Sequence, residues 1–215
     1  MTKAKPPKGL KGWAQGRSLW MLHFCTGCGA IEMPPTMTSR YDMERFGITP
    51  MATPRQADLL LITGYLTVKT LKRVIRSYEQ MPEPKYVVGF GSCTVNGGMY
   101  WDSYNTIKRL DLYLPIDLYI AGCMPRPEAI IDGFTELIEG IKKGKFDGWI
   151  RYKENLEYYK RNQAMVMDIR KWSLDAELAE RIWNEVQEER RKRFERATVK
   201  HVYELAERIP EGLPK

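Results

Sequence analysis

The chain has little sulfur chemistry to spend. Of its 215 residues four are cysteine and two are histidine, His23 and His201. Four thiols cannot supply the dense disulfide framework of a small secreted domain, and two histidines cannot build a histidine-rich metal centre. No run approaches the roughly 18 unbroken apolar residues of a membrane span, which leaves no candidate transmembrane helix. The N-terminal stretch MTKAKPPKGLKGWAQGR is basic but has no apolar segment, so it is not read as a secretory signal. The expected setting is therefore a reducing, cytoplasmic one. There cysteines more often bind metal than pair. Asparagine and glutamine number only five each, a composition that points towards a thermophile, although the eleven methionines point the other way.

What is present in quantity is positive charge and apolar residues. The formal net charge is +7 and 43% of residues are hydrophobic, enough for a buried core. The charge raises the question of a polyanionic partner: nucleic acid, acidic lipid or acidic protein. The run EERRKRFER at 188 to 196 is interleaved with glutamates, as is the helix that carries it. That pattern describes a solvated or protein-contacting face rather than a nucleic-acid-binding one, and no nucleic-acid motif accompanies it. No nucleic-acid partner is expected.

Pattern along the chain predicts three regions: a basic arm over 1–17, extended or ordered only by a partner; an α/β domain over 18–145; and a linker with a C-terminal helical extension over 146–215. In the domain, apolar runs at SLWMLHF, ADLLLITG, KYVVGFGSC and IDLYIAGC read as strands. Helical spacing over 67–82 and 126–145, a short helix at 39–47 stopped by Gly47, and a helix over 100–110 connect them. Continuous apolar strands alternating with helices imply a parallel sheet with helices on both faces. The stretch RYKENLEYYKRNQ, polar and aromatic, reads as a linker or a wrap over the domain. Beyond it Ser173 offers an N-cap for a long helix, with Leu174, Leu178, Ile182 and Val186 four apart and a second stripe at Val199, Val202, Leu205 and Ile209. On a domain whose sheet is already covered, these stripes read as docking surfaces for another subunit.

Three of the predicted strands run straight into cysteine, at Cys25, Cys93 and Cys123, and Cys28 completes a CxxC with Cys25. Loops leaving the C-terminal ends of parallel strands share one edge of the sheet, where ligands bind. Four thiolates can therefore converge although about a hundred residues separate the first from the last. Such a set holds an iron–sulfur cluster or zinc. One CxxC plus two single cysteines on a fold with its own core favours the cluster over a structural zinc site, which usually uses two local CxxC pairs. Disulfides or unliganded thiols remain the other readings. Glycines on both sides of Cys93 let backbone approach closely, and Cys123 stands just before a helix N-terminus; both arrangements suit a negatively charged, thiolate-bound group. His23 lies in a strand and reads as packed rather than ligating. GFGSCTVNGG fits neither a dinucleotide nor a P-loop pattern, so nucleotide binding is not expected.

AIEM, SRYDMERFGITPMATPRQADLLLITG, QMPEPKYVVGFGSC, the glycine pair 97–98, DLYIAGC and PRPEA carry a further signal. Over about residues 18–143 the chain resembles the 20 kDa-type (B) subunit of respiratory complex I and the related small subunits of membrane-bound [NiFe] hydrogenases. The resemblance implies a flavodoxin-like domain carrying one [4Fe–4S] cluster on Cys25, Cys28, Cys93 and Cys123, at the interface with a large catalytic-type subunit. It also implies a ferredoxin-like iron–sulfur subunit and membrane-arm subunits as further partners, and a peripheral place at the cytoplasmic face of the cell membrane. The chain would relay electrons and be no catalyst alone. In the family Glu32 belongs to the motif, and Arg40, Tyr41, Arg45 and Arg55 fall in the loop that lines the acceptor cavity. As bare sequence they would be an ordinary helix carboxylate and surface charges. The CxxC is the spacing of the hydrogenase subunits, whereas GAIEMPPTMTSRYDMERFG follows complex I. That hybrid is similar to the corresponding subunit of the archaeal membrane-bound sulfane sulfur reductase, which implies ferredoxin as the donor to the complex, ion pumping and polysulfide as acceptor. Quinone and protons are the alternative acceptors, and a four-cysteine zinc module is the reading outside this class.

Overall fold

The computed structural model describes residues 5–166 and 175–207, with side chains described as far as residue 195. A five-stranded, wholly parallel sheet forms its centre: β1 (Leu19–Cys25), β2 (Ile48–Pro50), β3 (Leu59–Thr63), β4 (Tyr86–Phe90) and β5 (Leu118–Ile120). The strand order is β2-β1-β3-β4-β5, which bears out the flavodoxin-like domain that the family resemblance implies; β2 adds a fifth strand to the four expected. β1 and β3 are joined in register from Met21↔Leu59 to Cys25↔Thr63. The chain leaves β1 towards β2 on one side and returns to β3 on the other. The topological switch point, where such sheets bind ligands, therefore lies between the loops that follow β1 and β3.

Strand periodicity sorts the core into two layers. Leu60, Ile62 and Val87 face one side, against Leu71, Val74, Ile75 and Tyr78 of helix α3 (Val68–Gln80). Leu59, Leu61, Val88 and Phe90 face the other, against Ile130, Phe134, Leu137 and Ile141 of α5 (Pro127–Lys143) and Met33 of α2 (Gly29–Met37). Thr67 and Thr70 cap α3 reciprocally, each hydroxyl accepting from the other's backbone N–H, which satisfies donors the first turn leaves free. At the other end of α5, Gly144 adopts a left-handed conformation (φ 66°, ψ 36°) that ends the helix.

Four expectations need correction. The N-terminal arm is not extended: Leu10–Gly16 form helix α1, packed along α5. Gly12 and Gly16 make the contact, and a Cβ on Gly12 would stand 2.8 Å from the carbonyl oxygen of Ile141. The segment 100–110 is not a helix. Lys108 Nζ donates to the carbonyls of Tyr100 and Ser103, and Ile107 N–H and Asn105 C=O bond to Leu66 and Val68, so its backbone is satisfied elsewhere. The supposed linker forms two helices, α6 (Gly148–Glu154) and α7 (Leu156–Val166). Tyr152, Tyr159 and Ala164 from it enter the α3-side core.

Last, the stripe Leu178, Ile182 and Val186 is not an exposed docking surface. These residues lie on α8 (Ala176–Glu207), where Ile182 and Val186 are buried and Leu178 half-buried against the same core. Charge also ties the extension down: Lys160 on α7 pairs with Glu79 on α3, with both side chains almost fully buried. The N-cap at Ser173, with Leu174, and the side chains of the second stripe lie outside the described residues.

Candidate iron–sulfur site

Each cysteine reaches the switch point by its own route. Cys25 is the last residue of β1. Thr26 then holds the loop to the neighbouring strand, with its N–H and its hydroxyl both donating to the carbonyl of Thr63, at 3.1 and 2.8 Å. Cys28 ends the loop and its carbonyl accepts from Ile31 N–H in the first turn of α2. Gly29 permits that turn to sit on β3, since a Cβ there would stand 2.1 Å from Thr63 Oγ1. Cys93 does not end its strand as expected: β4 stops at Phe90 and Cys93 lies one residue into the short helix α4 (Ser92–Asn96). Ser92 ties that helix to the Cys123 loop through two bonds to the Gly122 carbonyl, 2.9 Å from its N–H and 3.1 Å from its hydroxyl. Cys123 follows β5 and precedes α5 by four residues.

The result is one cavity of about 270 Å³ lined by Cys28, Cys93 and Cys123 together with Gly27, Gly64, Tyr65, Met99, Tyr100 and Met124. Cys25 is not among its lining residues; it is exposed, and its Sγ lies 3.5 Å from the Gly27 carbonyl. The thiols nevertheless feel one another. Burial first, then the neighbouring Cys93, and more weakly Cys123 and Cys25, push the Cys28 thiol above its ordinary pKa. Burial and Cys123 raise Cys93, against the pull of a backbone hydrogen bond from Met99. Cys28 and Cys93 thus resist losing their protons on their own, and a bound cation that takes the thiolates as ligands removes that penalty.

Two close glycine contacts keep the space open, Gly64 on Gly27 and Gly98 on Cys93. A Cβ on Gly64 (φ 78°) would lie 2.6 Å from the Gly27 nitrogen, and one on Gly98 (φ 54°) 2.8 Å from Cys93 Sγ. Among the described residues no three His, Cys, Asp or Glu side chains stand where they could share a single metal ion. A four-iron cluster makes a different demand, because each cysteine binds its own iron and the four sulfurs stand further apart than around one ion. Cys28, Cys93 and Cys123 around a glycine-lined cavity, with Cys25 three residues before Cys28, are a donor set of the kind such a cluster takes.

None of the five other candidates lines the cavity. Glu32 is half-buried in the first turn of α2. Arg40 lies over the ring of Tyr41, whose hydroxyl donates to Glu128 (2.7 Å) in the first turn of α5. Arg45 lies over Phe46. Arg55 is exposed in the loop before β3, level with the start of β1, and so away from the cysteines. His23 is packed as expected, with Nε2 2.9 Å from Thr63 Oγ1 and its pKa lowered by burial. The sequence reading missed the cavity's aromatic side, Tyr65 and Tyr100, whose ring centroids are 4.5 Å apart. Their signal was available: Tyr65 directly follows Gly64 at the end of β3, and Tyr100 stands two residues after Gly98 in the Cys93 loop.

A model of the family described as NADH ubiquinone oxidoreductase, 20 Kd subunit, matches residues 25–137, a span that contains all four cysteines. The chain belongs to this family. Subunit K of the chloroplast NAD(P)H-quinone oxidoreductase of Oenothera argillicola is 45% identical over 146 residues, which are 67% of this chain and 65% of that one. The Pelargonium hortorum subunit K is 41% identical over 159 residues, 74% of this chain and 70% of that one. This 20 kDa-subunit homologue thus spans a little under two thirds of the first relative's length. Among solved structures, it is similar to a chain of the membrane-bound sulfane sulfur reductase, an archaeal respiratory membrane complex. There the identity is 64%, the TM-score 0.68, and the coverage 71% of this chain and 86% of that one. Among the described residues no helix is long and apolar enough to cross a membrane.

Proposed function

We propose that the protein is an electron-transfer subunit of a complex I-like oxidoreductase, holding one [4Fe–4S] cluster on Cys25, Cys28, Cys93 and Cys123. The observation that carries this reading is the cavity at the β1/β3 switch point, where Cys28, Cys93 and Cys123 meet with Cys25 at the rim. When bound, the cluster supplies one-electron transfer at a potential set by its surroundings. The chain's part is to hold four thiolates, to point the Met99 backbone N–H at Cys93, and to limit water through Tyr65, Tyr100, Met99 and Met124.

The chain has no catalytic residue of its own in this reading. Exposed apolar side chains next to the cysteine loops, Met99 at 74%, Trp101 at 69% and Tyr104 at 100%, suit burial against a large catalytic-type subunit. A ferredoxin-like iron–sulfur subunit and membrane-arm subunits complete the proposed assembly, with ferredoxin as its donor.

On the acceptor, the family description and the plant relatives bear quinone names, which moves weight from the polysulfide expected from the sequence towards quinone. One observation keeps polysulfide as the second reading: the 64% identity to a chain of the sulfane sulfur reductase. Arg40 and Arg45, exposed beside the α2 and α5 ends, would concentrate an anionic acceptor more than a neutral quinone. The test is to purify the assembled complex, reduce it through ferredoxin, and offer quinone, polysulfide and protons separately. Preferential quinone turnover supports the first reading. Polysulfide turnover that falls when Arg40 or Arg45 is neutralised, with the cluster signal unchanged, supports the second. Hydrogen evolution with bound nickel would overturn both.

A further inference from the structure

Residues 1–17 contain five lysines and arginines and no acid, and electron transfer at the cysteine cavity makes no use of them. The structure gives residues 5–17 a fixed position. Helix α1 lies against α5 through Gly12 and Gly16, and the close glycine contact draws its backbone onto the domain. At about 100° per residue, Ala14 points directly away from that contact, with Leu10 and Lys11 on either side of it and Trp13 on the flank, while Arg17 follows the helix as its C-cap. Leu10 is 80% exposed and Trp13 50%. Beside them the C-terminal end of α5 presents Lys142, Lys143 and Lys145, and Gly9 N–H donates to the Lys142 carbonyl, which joins the two ends. Glu139 and Glu136 are the acids in reach of this end, bridging Lys143 and Lys145. Lys5, Lys8, Lys11 and Arg17 are exposed around the helix.

An aliphatic and an indole side chain, held outward by a docked helix and ringed by lysine and arginine, match the interface of an anionic bilayer. The rings and apolar groups enter the headgroup region while the bases meet lipid phosphates. We propose that α1 and the C-terminal end of α5 form a membrane-contact surface for anionic lipid headgroups. An acidic protein would be matched by the bases alone and would leave Leu10 unexplained, and a nucleic acid likewise; the combination selects the bilayer. A short helix with two apolar residues binds weakly by itself. Its role is then to orient a subunit that other contacts already bring to the membrane. The proposal does not depend on the cluster or on the acceptor.

The test uses the full cluster-loaded chain and vesicles of pure phosphatidylcholine or of phosphatidylcholine with phosphatidylglycerol, in a sedimentation assay. At low salt the protein should partition onto the anionic vesicles about tenfold more than onto the neutral ones, and the excess should vanish as salt rises. Lys11→Glu with Arg17→Glu should abolish the excess. Leu10→Ser with Trp13→Ser should weaken binding at every salt concentration. The same charge change on α8, Arg191→Glu with Arg193→Glu, is the control and should leave binding intact. All six positions are exposed, and circular dichroism verifies folding of each variant. Equal partitioning onto both vesicles would overturn the proposal, as would equal losses in the control variant. So would retention on membranes only when another subunit of the complex is present, an outcome that reassigns the surface to a protein.

Discussion

Replacing Gly64 with alanine separates a backbone cost from a site-specific one. Gly64 has φ 78°, and the added Cβ would lie 2.6 Å from Gly27 N and 2.8 Å from Gly27 Cα. The left-handed conformation costs a non-glycine residue about 1–2 kcal/mol, partly offset by about 0.4–1 kcal/mol of reduced unfolded-state freedom. The contact adds more, because it is about 0.8 Å short of the 3.4 Å at which ordinary van der Waals contact begins and the atoms it meets are backbone. Gly27 must move, and overpacking of this kind costs about 1–3 kcal/mol. Gly144→Ala is the matched control. It shares the left-handed conformation, but its Cβ meets only the flexible side chain of Lys8. In urea unfolding Gly144→Ala should cost about 0–1.6 kcal/mol, and Gly64→Ala about 1–3 kcal/mol more than that. Displacing Gly27 displaces the CxxC loop, so Gly64→Ala should also retain much less iron after anaerobic reconstitution, while Gly144→Ala keeps its full complement. Equal destabilisation with equal iron in the two variants would refute the claim that the β1 and β3 loops must touch to build the site.

Three further outcomes follow from the packing. Asp117 and Asp58 both have pKa values raised by burial, each to about 6. Folding therefore favours their protonated forms, and the stability they contribute is present below the unfolded carboxylate range and lost as pH rises to about 6 and beyond. His23, whose pKa burial lowers, works in the opposite direction over the same range, so the readout is the difference between variants: acidification from pH 7.5 to 5.5 should favour the parent chain more than Asp117→Asn, and identical pH profiles of melting temperature in the two contradict the assignment. Glu79→Ala leaves the Lys160 ammonium buried without its partner and should cost about 3–5 kcal/mol in chemical unfolding, against a negligible change if the pair is in contact with water. Ile182→Ala on α8 should cost about 2–5 kcal/mol in the isolated chain, since Ile182 is fully buried in it; a neutral effect would restore the reading of α8 as a free docking helix.

Much of the sheet was legible because its strands are unbroken apolar runs: LLLIT and YVVGF are buried at every position. β2 was not, since ITP is three residues with two of them exposed. α6 and α7 were hidden by composition. Tyr152, Tyr159 and Gln163 sit at helical spacing, but they are polar-tipped residues and read as a wrap until a core is there to receive them. The helix expected over 100–110 failed for the reverse reason. Its backbone bonds go to Leu66 and Val68, partners forty residues away that no local pattern reveals. At the candidate site the convergence of the cysteine loops could be argued from strand ends alone. The glycine contacts that keep the cavity open, Gly64 on Gly27 and Gly98 on Cys93, depend on the spacing of two loops in space and were legible only in part.

The most direct test of the central claim is the metal content and spectrum of the anaerobically reconstituted chain. Iron and acid-labile sulfide should each approach about four per chain, and the reduced protein should give the electron paramagnetic resonance signal of one [4Fe–4S] cluster. Alanine at Cys25, Cys28, Cys93 or Cys123 should each abolish that signal or convert the cluster to a three-iron form. A colourless protein with one zinc and no labile sulfide, or an unchanged spectrum in all four variants, would contradict the account.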